Sequence, residues 1–282
     1  MFLTECPRDA MQGIKDFIPT DVKIEYLNQL LRCGFDTLDF GSFVSPKAIP
    51  QLSDTQTVYD NLDLESTNTK LLAIIANLRG AETALKNKNI SFLGFPLSIS
   101  ETFQQRNTNK SINESIEQLK IISDLCDAEE KGLVIYLSMA FGNPYGDKYN
   151  QSVLDAMFSK AVDIGCSKIM LSDTIGSATT SQIESIYKSN NINDINVGLH
   201  LHTLPDEAFS KVKTSYESGC KYIDSAIGGF GGCPMAKDDL TGNMPTESVL
   251  TYLMSNEINH DIDIKELTIA KKLSDSIFSK YA

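Results

Sequence analysis

"FLTECPRDAMQG", residues 2–13, is a short apolar run that stops at Pro7 and meets Arg8 and Asp9 at once. A dinucleotide-binding α/β sheet would follow its first strand with a G-x-G-x-x-G turn, where bare backbone approaches a pyrophosphate. That turn is missing here, so the chain reads differently from its first strand onward. Seven further β-branched, apolar runs follow: 37–41, 71–77, 91–98, 133–140, 168–174, 196–203 and 222–229. Amphipathic stretches separate them. One is residues 20–35, with Thr20 as N-cap and a close near Gly34. Another is residues 111–132, capped by Ser111, with Ile112, Ile116, Leu119 and Ile122 along one stripe. Eight strands, each followed by a helix, specify a (β/α)8 TIM barrel, and about 250 residues is its usual length. No Pro/Gly/Ser-rich linker interrupts the series, so residues 1–282 are expected to form one catalytic domain. The helical patterns from about 246 to 282 should pack outside the barrel.

Composition narrows the partners. The 282 residues are 41% hydrophobic and 22% charged, with a net charge of −12. An acidic chain is a poor ligand for nucleic acid or an anionic membrane, both of which demand basic patches. It remains suited to an anionic small molecule, because the field inside a site is local. No apolar run reaches the ~20 residues that span a bilayer. No basic segment leads into an apolar core near residue 1, so a cytoplasmic location is expected. Six scattered cysteines without C-x-x-C pairs read as reduced thiols.

A barrel builds its active site where the carboxyl ends of its strands meet. Polar residues gather there repeatedly: Arg8 and Asp9 past strand one, Asp39 in strand two, Asp173 at the end of strand six, His200 and His202 at the end of strand seven. Positions i and i+2 of a strand share a face, so both imidazoles of "HLH" can reach one centre while Leu199 and Leu201 face the helices. That spacing suits a divalent ion, and Asp9 is two strands away around the closed sheet. The plainer alternative is a pair of histidines satisfied by hydrogen bonds within the barrel. The segment after strand two offers Ser42, Ser45 and Lys47 as donors to carboxylate or phosphate groups. In the glycine-rich loop after strand eight, Cys233 is placed for acid/base or nucleophilic work. Cys6, held before Pro7, and the remaining cysteines read as structural; His260 reads as surface.

"PRDAMQ", "SFVSPKAIPQLSDT", "LSDTIGSAT", "HLHT" and "GFGGCPMAKDDLTGNMPTE", in order from about residue 4 to 255, together resemble the 3-hydroxy-3-methylglutaryl-CoA lyase family of metal-dependent barrel enzymes. "SFVSPK" and "GGCP" separate it from the condensing enzymes that share its arginine-aspartate and H-x-H elements. The resemblance implies cleavage of an acyl-CoA thioester to acetyl-CoA and acetoacetate with Mg2+ or Mn2+. It places metal ligands on Asp9, His200, His202 and Asn243, the catalytic arginine on Arg8 and the loop cysteine on Cys233. It also implies substrate-side roles for Gln12, Asp173 and Glu247, and a homodimer. Three positions depart from the family pattern. Thr203 replaces an aspartate, Asp39 replaces a glutamate, and the Cys233-to-Asn243 spacing is one residue longer. The competing readings are an acyl-CoA condensing or aldolase-type relative, and a catalytically silent barrel acting as an interaction subunit.

Overall fold

Eight parallel strands pair in sequence order and close on themselves: β1 (Phe2–Glu5), β2 (Thr37–Ser42), β3 (Lys70–Ile74), β4 (Ile90–Ser98), β5 (Gly132–Ser138), β6 (Lys168–Asp173), β7 (Val197–Leu201) and β8 (Tyr222–Ser225). This is the expected (β/α)8 barrel, seen in a computed structural model that describes residues 1–188, 196–232 and 241–282. The helices among these residues are α1 (Pro7–Gln12), α2 (Thr20–Leu31), α3 (Thr55–Tyr59), α4 (Leu78–Leu85), α5 (Glu101–Thr108) and α6 (Ile112–Ala128). They continue with α7 (Gln151–Asp163), α8 (Thr180–Lys188), α9 (Pro205–Glu217), α10 (Thr246–Ser255) and α11 (Ile264–Tyr281). None is long and apolar enough to cross a membrane.

Alternation along each strand divides the core in two. Leu72, Ile74, Val134, Tyr136 and Met170 form a small cluster inside the barrel. Their neighbours Leu71, Ala73, Leu133, Ile135 and Leu171 join the large cluster between sheet and helices. Strands buried on both faces must be apolar at nearly every position, which is why β5 reads as a continuous run. The residues that break this rule are therefore conspicuous. Asp39, His200 and Asp224 are charged or titratable side chains within buried strands.

Local chemistry sets the helix starts. Ser111 caps α6 in a reciprocal capping box with Glu114, as the sequence indicates. Thr20 does not cap α2; it is the first helical residue after Pro19, and its hydroxyl donates to Asp54. α11 packs against α2 outside the barrel, where Gln29 Nε2 donates to Glu266 at 2.7 Å, and against the segment after β8, where the Phe230 and Phe278 rings stack at 4.1 Å. Several strands end sooner than the apolar runs suggest. β3 stops at Ile74, β7 at Leu201 and β8 at Ser225. Backbone pairing ends where the barrel mouth opens, and the remaining apolar residues belong to the segments that build the site.

Candidate active site

α1 begins immediately after β1, with Pro7 at its first position, where the missing N–H costs nothing. Its one and a half turns place Arg8, Asp9 and Gln12 at the barrel mouth. Arg8 donates from Nε and Nη2 to Asp39 Oδ2 at 2.9 and 2.5 Å, and from Nη1 to Asp9 Oδ1 and Gln12 Oε1, both at 2.9 Å. Gln12 Nε2 in turn donates to Asp9 Oδ1 at 2.7 Å. A helix rather than an extended turn makes this possible, since residues three and four apart share a face.

His200 and His202 meet this group from β7 and the residue after it. His200 Nδ1 lies 3.0 Å from Asp224 Oδ2. His202 Nδ1 lies 3.1 Å from the carbonyl oxygen of Thr174. Each partner only accepts, so each Nδ1 carries a proton and Nε2 is the nitrogen left to face a cation. His202 Nε2 is buried with no hydrogen-bond partner. A buried acceptor left open in this way is what a metal site needs and what a satisfied core histidine lacks. One ligand atom each from Asp9, His200 and His202 lies within 4.8 Å of the others.

Asn243 completes the ring. Its segment forms an isolated antiparallel bridge with His202, and its Nδ2 donates to Asp9 Oδ2 and to the Phe230 carbonyl, both at 2.8 Å. With the amide hydrogens committed, the side-chain carbonyl oxygen is the atom that can serve a cation. Gly231 shows why this region is glycine-rich. At φ +96, a Cβ there would lie 2.7 Å from Ala10 Cα and 2.8 Å from Asn243 Nδ2. The bare backbone presses directly against α1.

The donor types suit a hard divalent cation: a carboxylate, an amide oxygen and two imidazole nitrogens form a mixed O/N set. The same neighbours set the protonation of the ligands: burial pushes His200 down, but its hydrogen bond to Asp224 and the charge of that carboxylate outweigh it and raise the imidazole. Burial and the neighbouring His200 drive His202 down to about 4, so it is neutral at pH 7. Burial pushes Asp9 up, but the charge of Arg8 and the hydrogen bond from Asn243 act against it, and the carboxyl lies below the ordinary carboxylate range. Burial lifts Asp39 to about 6 against the opposing pull of Arg8.

The family model described as HMGL-like matches residues 2–273. A Bacillus subtilis protein named hydroxymethylglutaryl-CoA lyase YngG is 33% identical over 270 residues, covering 94% of this chain and 89% of that protein. A cytoplasmic 3-hydroxy-3-methylglutaryl-CoA lyase of Rattus norvegicus is 29% identical, covering 93% and 76%. The solved HMG-CoA lyase of Acinetobacter baumannii, in complex with coenzyme A and 3-methylmalate, superposes with a TM-score of 0.91 at 29% identity, covering 99% of this chain and 91% of the other.

The chain belongs to the HMGL-like family.

The site of this HMGL-like chain opens into a cavity of about 280 Å³. Arg8, Asp9, Gln12, His200 and His202 form its polar foot, with Tyr136, Ser138 and Thr174 beside them. Val44, Ser45, Ala48 and Ile49, from the segment after β2, make one wall, and Asn107, Thr108 and Lys110 another. A larger cavity of about 620 Å³ lies at the opposite end of the barrel, around Lys70, Phe92 and Lys168. It holds none of these ligands, so the chemistry belongs to the smaller one.

Several expected residues stand apart from the wall. Asp39 is one layer back, held by Arg8. Ser42 Oγ donates to the Ile74 carbonyl and accepts from Val44 N, so it shapes the loop and does not face the cavity. Lys47 is exposed; Ser45 takes the place on the wall. Asp173 pairs in register with Leu201, on the outward parity, and accepts from the backbone N–H groups of Ser177 and Ala178. Its neighbours Ser172 and Thr174 reach the cavity instead. Glu247, on α10, accepts from Gly228 N and forms an ion pair with Lys271 at 2.7 Å. Cys233 lies outside the described residues.

Two residues escaped the sequence reading. Asp224 on β8 pairs in register with His200 and orients its ring. A carboxylate inside an otherwise apolar strand was the available signal. Cys6 is buried, with Sγ close to His200 and Asp224; its position before a proline gave no indication of that.

Proposed function

We propose that this chain is a divalent-cation-dependent carbon–carbon lyase that cleaves 3-hydroxy-3-methylglutaryl-CoA to acetyl-CoA and acetoacetate. The supporting observation is the meeting of Asp9, His200 and His202 beside Arg8, with His202 Nε2 buried and unpartnered. The metal set is Asp9, His200, His202 and Asn243. A Mg2+ or Mn2+ ion held there would supply Lewis acidity to acidify the substrate hydroxyl.

The reaction removes the C3 hydroxyl proton and breaks the C2–C3 bond. The electron pair of that bond passes to the thioester fragment as an enolate, which then takes a proton at carbon. Asp9 is the basic group at the foot of the cavity that can receive the hydroxyl proton; His200, protonated at Nδ1 and held by Asp224, acts through its Nε2 as a ligand. Arg8 meets the charge that develops on the thioester oxygen. Asp39 and Asp9 keep it protonated and Asp39 fixes the plane of its fork, so the donor is preorganised. Gln12 holds Asp9 Oδ1 and so steadies the ligand. Cys233 is assigned the delivery of a proton to the enolate, and near-normal turnover of Cys233→Ala with saturating metal would remove it from the scheme. Ser42, Asp173 and Glu247 then act by holding the segments around the substrate, Asp39 acts through Arg8, and Lys47, exposed on the segment after β2, is available to anionic groups of the substrate outside the cavity.

A coupled acetoacetate assay tests the reading. Turnover should disappear with chelator and return with Mg2+ or Mn2+. Consumption of acetyl-CoA with a 2-oxo acid, and no acetoacetate from the glutaryl thioester, would instead identify a condensing relative. A catalytically silent barrel would bind metal without either turnover. The acyl-CoA substrate is a soluble small molecule, and a cytoplasmic homodimer is the setting we propose. Leu204, Phe209 and Met254 are exposed apolar residues available to a second copy, and sedimentation of the full chain checks this.

A further inference from the structure

We propose that the barrel contains a second, thiophilic cation position, formed by Cys6 Sγ, the Asp224 carboxylate and the His200 imidazole, that captures Zn2+ or Cd2+ in competition with the ion held by Asp9, His200 and His202. The three ligand atoms lie within 4.8 Å of one another. A tetrahedral ion with N, O and S bonds of ordinary length needs ligand separations of about 3.3–3.8 Å, so side-chain adjustments of about an ångström complete the set. Asp224 Oδ1 is independent evidence. The side chain is buried, and this oxygen has no hydrogen-bond partner. It is an acceptor waiting for a positive charge.

Ligand chemistry separates the two positions. Oxygen and imidazole around Asp9 suit Mg2+ or Mn2+, whereas a thiolate beside imidazole and carboxylate selects a softer ion. The local charge also favours cations: Asp9 and Asp39 share a single guanidinium, Arg8, and the partner of Asp224 is the imidazole of His200. When a soft ion binds, the thiol proton leaves to solvent as the sulfur–metal bond forms. The imidazole nitrogen 3.0 Å from Asp224 is Nδ1; as the nitrogen–metal bond forms there, its proton also leaves to solvent, and that is the proton that orients His200 toward the other set. Two divalent ions would then share one ring, with strong mutual repulsion at short range. Occupancy is therefore exclusive, and the soft ion inhibits. This inference rests on the assignment of Asp9, His200 and His202 to the catalytic ion only for the competition; capture by Cys6 is read separately.

The experiment adds Cd2+ to the chelator-stripped full chain and follows the ultraviolet thiolate-to-cadmium charge-transfer band. Wild type and Cys233→Ser should show a band that saturates at one equivalent. Cys6→Ser should lack it, with an unchanged circular dichroism spectrum. Asp224→Asn, which preserves side-chain shape, should weaken Cd2+ at least about tenfold. In the same titration, protein-bound Mn2+ should reappear as the free-ion electron paramagnetic resonance signal. A band that survives in Cys6→Ser, or that vanishes in Cys233→Ser, overturns the site. A Cd2+ affinity unchanged in Asp224→Asn also overturns it. A band with no Mn2+ release keeps the capture and refutes the exclusivity.

Discussion

Replacing Asp224 by asparagine changes one buried oxygen to an amide and leaves the volume of the side chain almost untouched. In the native protein, Asp224 Oδ2 holds the Nδ1–H of His200 at 3.0 Å and thereby presents Nε2 to the cation. Asparagine can meet Nδ1 with its NH2 group, which moves the ring proton onto Nε2 and blocks the ligand nitrogen. It can also accept with its carbonyl oxygen, and then the ring keeps its tautomer but loses the full negative charge that makes it a better donor. The buried charge-assisted bond is worth about 1.5–3 kcal/mol. That range agrees with the about 10–100-fold loss of metal affinity seen when a carboxylate behind a ligating histidine is removed, equivalent to about 1.4–2.7 kcal/mol. Mn2+ binding to the full chain, measured by titration calorimetry, should weaken by that factor while the circular dichroism spectrum is unchanged. Turnover at saturating Mn2+ should recover much more than turnover at limiting Mn2+. An affinity within twofold of wild type would refute the role given to Asp224 and, with it, the tautomer argument for His200.

Arg8→Gln should lower kcat by about 10²–10³ at saturating metal, the cost of losing one donor aimed at developing charge, and a kcat within threefold of wild type would contradict its place in the reaction. His202→Ala removes the nitrogen whose lone pair is buried and unpartnered, so its Mn2+ affinity should fall further than that of Asp224→Asn; equal losses would argue against direct ligation. Glu5 gives a pH test away from the site. Burial raises its carboxyl to about 8, while its oxygens accept from Ile227 N and the Thr246 hydroxyl. A carboxyl raised on folding is bound to its proton more firmly in the folded than in the unfolded chain. Its stabilising contribution is therefore full below about pH 4.5 and falls as pH rises to about 8. Denaturant midpoints should decline across that window by an amount worth a few kcal/mol, and Glu5→Gln should flatten the decline; parallel profiles would rule out this origin.

Much of this protein is determined locally. The alternation of apolar runs with amphipathic stretches dictates eight strand–helix units, because a strand buried on both faces has no freedom to be polar. The spacing of "HLH" puts two imidazoles on one side of a strand by covalent geometry alone, and Arg8–Asp9 after the first strand marks the end of the barrel where they meet. What the chain could not declare by itself depends on closure and register. Asp224 faces His200 because β7 and β8 pair at those residues, and Asn243 reaches Asp9 because its segment bridges back to His202. Asp173 turns outward because β6 pairs it with Leu201, one residue out of phase with the ligands. At strand ends the two-residue period lapses into short helices and bridges, so the last side chains take their directions from contacts with units far along the chain. The identity of the ligand types is a property of sequence. Their convergence on one point, and the partners that set their protons, exist only once the barrel has closed.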